Sequence, residues 1–345
     1  MLADLVGLLQ RLWGQLHMAA SVSPFWQAVF DVSWGLVKFL LVVLFMILNT
    51  LVLVWLERKL SARIQSRLGP MRCGRPHGWL QLIADTFKLL GKEDIIPRAV
   101  DKALFIIAPV VVFTSSLLIY VVIPLGPGAI VSDLDVGMVY LAAAASFTVM
   151  GVLMAGWGSN SKWSLLGAMR GAAMLVSYEV PMVLAVIAVV MVSGTLSTDG
   201  IVRAQSGLWN IVVQPLGFLV FLAALFAELN RVPFDLAEAE SELVAGYNVE
   251  YSGLRFAFFF LAEYANLLAL SAVAVTLYFG GWQGPWLPPF VWFMLKTYAF
   301  VILVMWIRWT LPRVRVDQLL SFGWKVLLPA ALVNLFATGI YVLWV

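Results

Sequence analysis

The sequence predicts an all-α, polytopic membrane protein with about eight transmembrane helices, both termini outside, and amphipathic helices at the membrane interface. Three observations predict it. Apolar residues make up 62% of the chain and charged residues 12%, against roughly 45–50% and 25% in soluble domains, and the mean hydropathy is +0.95. Stretches of about 20 apolar residues, the length a helix needs to cross about 30 Å of hydrocarbon, recur along the whole chain. Lysine and arginine concentrate in alternate loops, as the positive-inside rule requires.

Taken in order, residues 1–20 include Asp4 and have no basic segment ahead of their apolar residues, so they read as a short amphipathic helix on the membrane and not as a cleaved signal peptide. The eight spans fall near 34–56, 103–125, 136–157, 172–193, 208–229, 254–280, 288–311 and 323–345. Between the first two lie Arg58, Lys59, Arg63, Arg67, Arg72, Arg75, Lys88, Lys92, Arg98 and Lys102, whereas the second loop has no lysine or arginine and the fourth has only Arg203. The odd-numbered loops are therefore expected in the cytoplasm. Lys162 and Arg170 around the third loop agree, as do Arg308, Arg313, Arg315 and Lys325 around the seventh. No internal repeat and no Pro-rich, Gly/Ser-rich or acidic tail marks a second unit, so residues 1–345 read as a single membrane domain.

The basic first loop, 57–102, contains a helix signal of its own. Trp79, Leu80, Ile83, Phe87 and Leu90 recur at helical spacing, and Gln81, Asp85, Lys88 and Lys92 share the opposite face. About fourteen residues cannot span a bilayer. Such a helix either anchors in the lipid interface or packs under the other helices, holding a carboxylate beside whatever enters from the membrane plane. Glu57 and Arg58, at the end of the first span, read as an interfacial ion pair or as part of a site.

The composition also excludes chemistry. Net charge is +3, and the basic residues lie between apolar spans without interleaved aromatics, so nucleic acid is not an expected partner. One cysteine, Cys73, and two histidines, His17 and His77, cannot ligate an iron-sulfur cluster, a structural zinc ion or a bis-His haem.

Acids then mark the candidate site. A carboxylate near the bilayer centre costs about 2.5–3.5 kcal/mol on insertion scales, and Glu179 and Glu263 stand inside predicted spans, with Lys296 as the opposite charge at comparable depth. Each acid reads either as a structural pair or neutralised carboxyl, or as a proton carrier. Pro181 can kink the span beside Glu179. The third span has no acid, so a relay there would need water or hydroxyls such as Ser146 and Thr148. The loop 228–255 carries Glu228, Asp235, Glu238, Glu240, Glu242 and Glu250 against Arg231 and Arg255. Asp235 and Glu238 form a capping pair for a helix expected to begin at Leu236, which would place Asp235, Glu238 and Glu242 on one face. Closely spaced carboxylates titrate as a coupled set.

The strings LQLIADTFKLLGKED and AELNRVPFDLAEAESELVAGYNVEYSG, within the runs Glu57 to Pro97 and Ala227 to Arg255, resemble the two signature regions of one membrane component of proton-pumping NADH:quinone oxidoreductase (complex I), the H subunit in bacteria and subunit 1 in mitochondria. The resemblance covers most of the chain. It implies a subunit beneath the hydrophilic arm that forms part of the quinone chamber and is not catalytic alone. Glu57, Arg58, Arg67 and Arg72 would line the quinone-binding region. Asp85, Glu228, Asp235, Glu238, Glu240, Glu242 and Glu250 would form an acidic path below it, continued into the bilayer by Glu179 and Glu263. The chain would bind no cofactor or metal; quinone is the substrate, and the iron-sulfur clusters and FMN belong to partner subunits. The implied partners are hydrophilic quinone-module subunits, other membrane subunits and lipid, and the implied location is the bacterial inner (plasma) membrane. Two other assignments fit part of the pattern: the equivalent subunit of a membrane-bound hydrogenase or related respiratory complex, and a stand-alone ion-coupled transporter, against which the missing repeat counts.

Overall fold

In a computed structural model, residues 24–238 and 240–344 are described. The interfacial helix expected at the N-terminus lies outside them. Among the described residues the fold is helical throughout: α1 Pro24–Ile64, α2 Gln81–Leu90, α3 Lys102–Tyr120, α4 Gly137–Gly158, α5 Lys162–Ser193, the short α6 Thr198–Ala204 and α7 Asn210–Val213, α8 Pro215–Glu228, the single turn α9 Glu240–Leu243, α10 Gly253–Tyr278, α11 Pro289–Thr310, α12 Val316–Phe322, a π-helical turn Gly323–Leu327, and α13 Leu328–Trp344.

Seven of these helical stretches are long and apolar enough to cross a membrane. The fifth expected span differs. Gln214 leaves helical geometry (φ −131°, ψ 63°) and Pro215, which has no N–H to give, starts a new helix. Its 14 residues reach about 21 Å at 1.5 Å per residue, short of a full crossing. Connectivity nevertheless makes it the eighth traverse. At one end of the bundle Ser252 Oγ donates to Glu93 O (3.2 Å), Asn160 Nδ2 to Ala99 O (2.8 Å) and Val314 N to Pro233 O (3.0 Å), which joins the first, third, fifth and seventh loops. At the other end Ser197 Oγ donates to Asp133 Oδ1 (3.0 Å), Gln283 Nε2 to Val202 O (2.6 Å) and Lys38 Nζ to Val131 O (3.2 Å). The basic loops therefore gather on one face, and α8 connects the two faces.

α10 is the central helix, with 78% of its apolar window buried against 22% for the window in α1. Small residues let α4 approach α3 and α5 closely: a Cβ at Gly151 would meet Val112 Cγ2 at 2.4 Å, and one at Gly156 would meet Ala168 Cβ at 2.2 Å. Such contacts replace the hydrophobic drive that lipid does not supply between helices.

α2 forms where its periodicity places it, with a difference in what it buries. Leu82 is enclosed, while Trp79, Leu80, Ile83, Phe87 and Leu90 remain exposed. The face carrying Gln81 and Asp85 is the one that meets α1.

Candidate functional site

Two linked features occupy the interior beneath the basic face. The first is a buried ion network. Glu57, near the end of α1, is 4% exposed and lies between two guanidinium groups. Arg231 Nη1 donates to its Oε2 at 2.7 Å, and Arg308 of α11 donates to its Oε1. Arg231 is 1% exposed, and its Nη2 is also 2.9 Å from Glu263 Oε1 of α10. Its guanidinium stacks over the Tyr264 ring, with Cζ 4.7 Å from the centroid. Two carboxylates and two guanidiniums balance in charge, which is the condition for keeping four ions in a low-dielectric interior. Burial opposes the charge on the Arg231 guanidinium, but the Glu263 and Glu57 carboxylates together outweigh it and raise the proton affinity beyond its ordinary value, so Arg231 stays charged.

The second feature is a cavity of about 30 Å³ lined by Glu228, Glu238 and Glu263 together with Thr148, Asn230, Tyr247 and Asn266, and closed on its apolar side by Val112, Val152 and Phe259. About 10–15 Å³ admits one water, so the space holds about two. Oδ1 of Asn230 and of Asn266 is buried without a partner, as is Oδ1 of Asn248 close by. An unmet acceptor of this kind costs about 1–3 kcal/mol, and the cavity has room for water to donate to it. Glu263 belongs to both features. Arg231 thus bridges the end of α1 to the cavity wall.

Loop geometry makes this possible. Arg231 through Glu238 run without helix, turned by the hydrogen bonds Phe234 N to Arg231 O (2.8 Å) and Leu236 N to Phe234 O (3.0 Å). Gly246 has φ +55°, and a Cβ there would sit 1.6 Å from Ala237 O. Glycine therefore lets the 3₁₀ turn Gly246–Asn248 fold back on Ala237 and Glu238. Asn248 Nδ2 donates to Glu238 Oε1 at 2.7 Å, and the Tyr247 hydroxyl, on the lining of the same cavity, exerts a hydrogen-bonding influence on the Glu238 carboxyl. Burial first, and then the Glu263 charge, push the Glu238 carboxyl up to about 8, against the lowering by the Tyr247 hydrogen bond. Its protonated form is thereby favoured well above the ordinary carboxyl range.

A family profile described as NADH dehydrogenase matches residues 37–339. The chain is 52% identical over 299 residues to the H subunit of the NADH-quinone oxidoreductase of Dehalococcoides mccartyi (strain ATCC BAA-2266 / KCTC 15142 / 195), covering 87% of this chain and 84% of that protein. It is 48% identical over 318 residues to H subunit 1 of the NADH-quinone oxidoreductase of Geobacter metallireducens, covering 90% and 96%. Against the H subunit of the Anoxybacillus flavithermus enzyme it is 52% identical over 288 residues, covering 82% and 86%. The chain belongs to the family of NADH-quinone oxidoreductase H subunits. As a member with seven long apolar helices and the short α8 it is a multi-pass protein of the bacterial inner membrane.

The fold sorts the residues singled out in the sequence into groups. Glu57, Glu228, Glu238 and Glu263 converge on the network and cavity. Glu179 of α5 accepts a hydrogen bond from Ser146 Oγ of α4 (2.5 Å) and acts electrostatically on the cavity residue Glu228, but it does not itself line the cavity. The helix passes through Pro181 without a break. Thr148 lines the cavity and is 2.9 Å from Ser115 Oγ. Arg58 and Asp85 pair at 2.5 Å on the half-exposed flank next to Glu57, with Gln81 Nε2 donating to Asp85 at 3.1 Å. Arg67 bonds Gln65 at the surface and Arg72 is exposed, so neither reaches the interior.

The fifth loop departs from its expected arrangement. No helix begins at Leu236; the single turn α9 starts at Glu240. The Asp235 carboxylate is drawn instead to Arg313 (2.7 Å), so it neither caps a helix nor lines the cavity. Glu242 points outward to Arg170 (2.6 Å). Asp235, Glu238 and Glu242 thus have different partners, because no helix runs from Asp235 to Glu238 and α9 starts only at Glu240. Glu250 does not line the cavity, and the side chain of Glu240 lies outside what the structure describes. Lys296 is not level with the acids: its Nζ donates to the carbonyls of Phe279 (2.8 Å), Gly281 (3.1 Å) and Gln283 (2.6 Å) at the opposite end of the bundle. It closes the end of α10.

Sequence reasoning missed Arg231 and Arg308 as site residues, and Tyr247, Asn248, Asn230 and Asn266 altogether. The available signal was that Arg231 is one of only two bases in a strongly acidic loop.

Proposed function

We propose that this subunit forms part of the quinone-binding chamber of a proton-translocating NADH:quinone oxidoreductase and couples quinone reduction to proton movement through the Glu57–Arg231–Glu263 network and the acidic cavity. It is a subunit of an enzyme complex and not an enzyme by itself. Its partners on this reading are hydrophilic subunits that carry the electron-transfer centres, other membrane subunits, quinone and lipid. The name of its relatives supplies the quinone, and its own geometry supports the coupling.

The observation that carries the reading is Arg231 shared between Glu57 and Glu263. Reduction of a quinone to a quinol takes up two electrons and two protons, so it changes the charge and proton supply beside Glu57, Arg58 and Asp85. A unit charge at about 4 Å is worth roughly 4 kcal/mol at an effective dielectric of about 20, which corresponds to about three pKa units. Any change that draws Arg231 toward Glu57 removes positive charge from Glu263. The uncompensated charge of Glu263 then acts on its cavity neighbours Glu238 and Glu228, and Glu228 passes the change to Glu179 and Ser146.

The test is gentle purification from the native membrane with an assay of NADH:quinone reduction. Copurification in a large assembly with inhibitor-sensitive quinone reduction is expected. A chain isolated alone, or a hydrogen-evolving assembly without quinone reductase activity, would overturn the assignment.

A further inference from the structure

Resting on the proposed role of the cavity, we propose that Tyr247 and Asn248 are positioning residues that clamp the Glu238 carboxyl group at the cavity wall through both of its protonation states. The argument begins with the chemistry of the two partners. A tyrosine hydroxyl can donate or accept, and a side-chain amide presents NH₂ on one side and C=O on the other. Both can donate to a carboxylate and, after a rotation, accept from a neutral carboxyl. Guanidiniums can only donate, so the two ion-pair partners of Glu57, Arg231 and Arg308, suit its charged state alone.

The geometry around Glu238 matches the first kind of site. Asn248 Nδ2 is 2.7 Å from Glu238 Oε1, while Asn248 Oδ1 is buried and has no partner. The amide nitrogen serves both Glu238 and the Tyr247 hydroxyl, while the oxygen end has no protein partner, so a turn of the amide presents that oxygen to both. Tyr247 is 7% exposed and Asn248 8%, so water does not replace them freely. The turn that carries them is fixed by Gly246, whose missing Cβ allows contact with Ala237 O, one residue before Glu238. Clamp and carboxyl are thus held by adjacent backbone.

The charged and titratable groups facing Glu238 are Glu263 and Asp235, which disfavour its ionisation, and Arg231, which favours it; Glu228 lies across the cavity. Against that background the Tyr247 hydroxyl, on the lining of the same cavity, favours the charged form. Removing it therefore raises the proton affinity of Glu238. A hydrogen bond to a charged group corresponds to about one to two pKa units.

The experiment uses the assembled complex with Tyr247→Phe, Asn248→Leu and Glu238→Gln in this subunit, reading the pH dependence of quinone reduction with proton release in proteoliposomes. Tyr247→Phe is expected to assemble and to move the acid limb of the profile upward by about one pH unit, with Asn248→Leu moving it the same way. Glu238→Gln removes that limb. Normal coupled turnover in Glu238→Gln would overturn the reading of the cavity itself. A defective Glu238→Gln together with unshifted profiles in both clamp variants would leave that reading standing and overturn the clamp. If Tyr247→Phe does not assemble, Asn248→Leu decides alone, and an unshifted limb there overturns the proposal.

Discussion

Arg231→Met is the perturbation that bears most directly on the buried network. The guanidinium is 1% exposed, donates to Glu57 at 2.7 Å and stands 2.9 Å from Glu263. Methionine fills similar volume and removes the charge. Glu57 keeps Arg308, but Glu263 is left as a carboxylate without its cation, and breaking a buried pair in this way costs about 3–5 kcal/mol. Glu57→Gln removes the opposite partner. If both act through one network, the double variant costs less than the sum of the two, with a coupling of about 1.5–3 kcal/mol. Unfolding of the chain by SDS titration in mixed micelles, followed through tryptophan fluorescence, measures all three variants on one scale. Additivity within about 0.5 kcal/mol would refute the shared network.

Two further outcomes follow from the same structure. Glu238 binds a proton in the folded state up to about pH 8, whereas the unfolded carboxyl titrates near its ordinary value, 4.5. Its contribution to stability is therefore full below pH 4.5 and is lost as pH rises through 8; Glu238→Gln should flatten the fall in melting temperature between those values, and an unchanged slope would place the fall elsewhere. Lys296→Met leaves the carbonyls of Phe279, Gly281 and Gln283 without their shared donor, so about 2–4 kcal/mol of stability should be lost. Quinone turnover per assembled complex should stay unchanged, and a selective loss of turnover with normal stability would contradict the assignment of Lys296 to loop closure.

How far the sequence disclosed this molecule differs by level. Spans were legible because hydropathy and helix length are local properties, and loop orientation followed from Arg58 through Lys102 against the second loop, which has no lysine or arginine. The shortening of α8 was written in Pro215, but an apolar window averages over a single proline. In the acidic loop, local capping rules favoured a helix from Leu236, and tertiary contacts won: Arg313 takes the Asp235 carboxylate, and Gly246 folds the loop back on itself. Glu263 was found because acids are costly inside an apolar span, and Glu228 and Glu238 because the fifth loop is unusually acidic. Arg231 was not, because its partners Glu57 and Glu263 lie on α1 and α10, far away in the chain, and pairing at such separation leaves no periodic trace. Arg67 and Arg72 illustrate the reverse, since basic residues that look alike in sequence divide in space between surface and site.

The central claim is that the acidic cavity links quinone chemistry to proton movement, and Glu228→Gln in the assembled complex tests it most directly. Glutamine keeps the shape of Glu228 at the cavity wall and removes its titration. Simultaneous measurement of NADH:quinone reduction and proton translocation in proteoliposomes should show normal assembly with both activities reduced at least about tenfold, the effect of about 1.4 kcal/mol on the rate-limiting barrier. A fully assembled Glu228→Gln complex with the wild-type rate and proton stoichiometry would contradict the account.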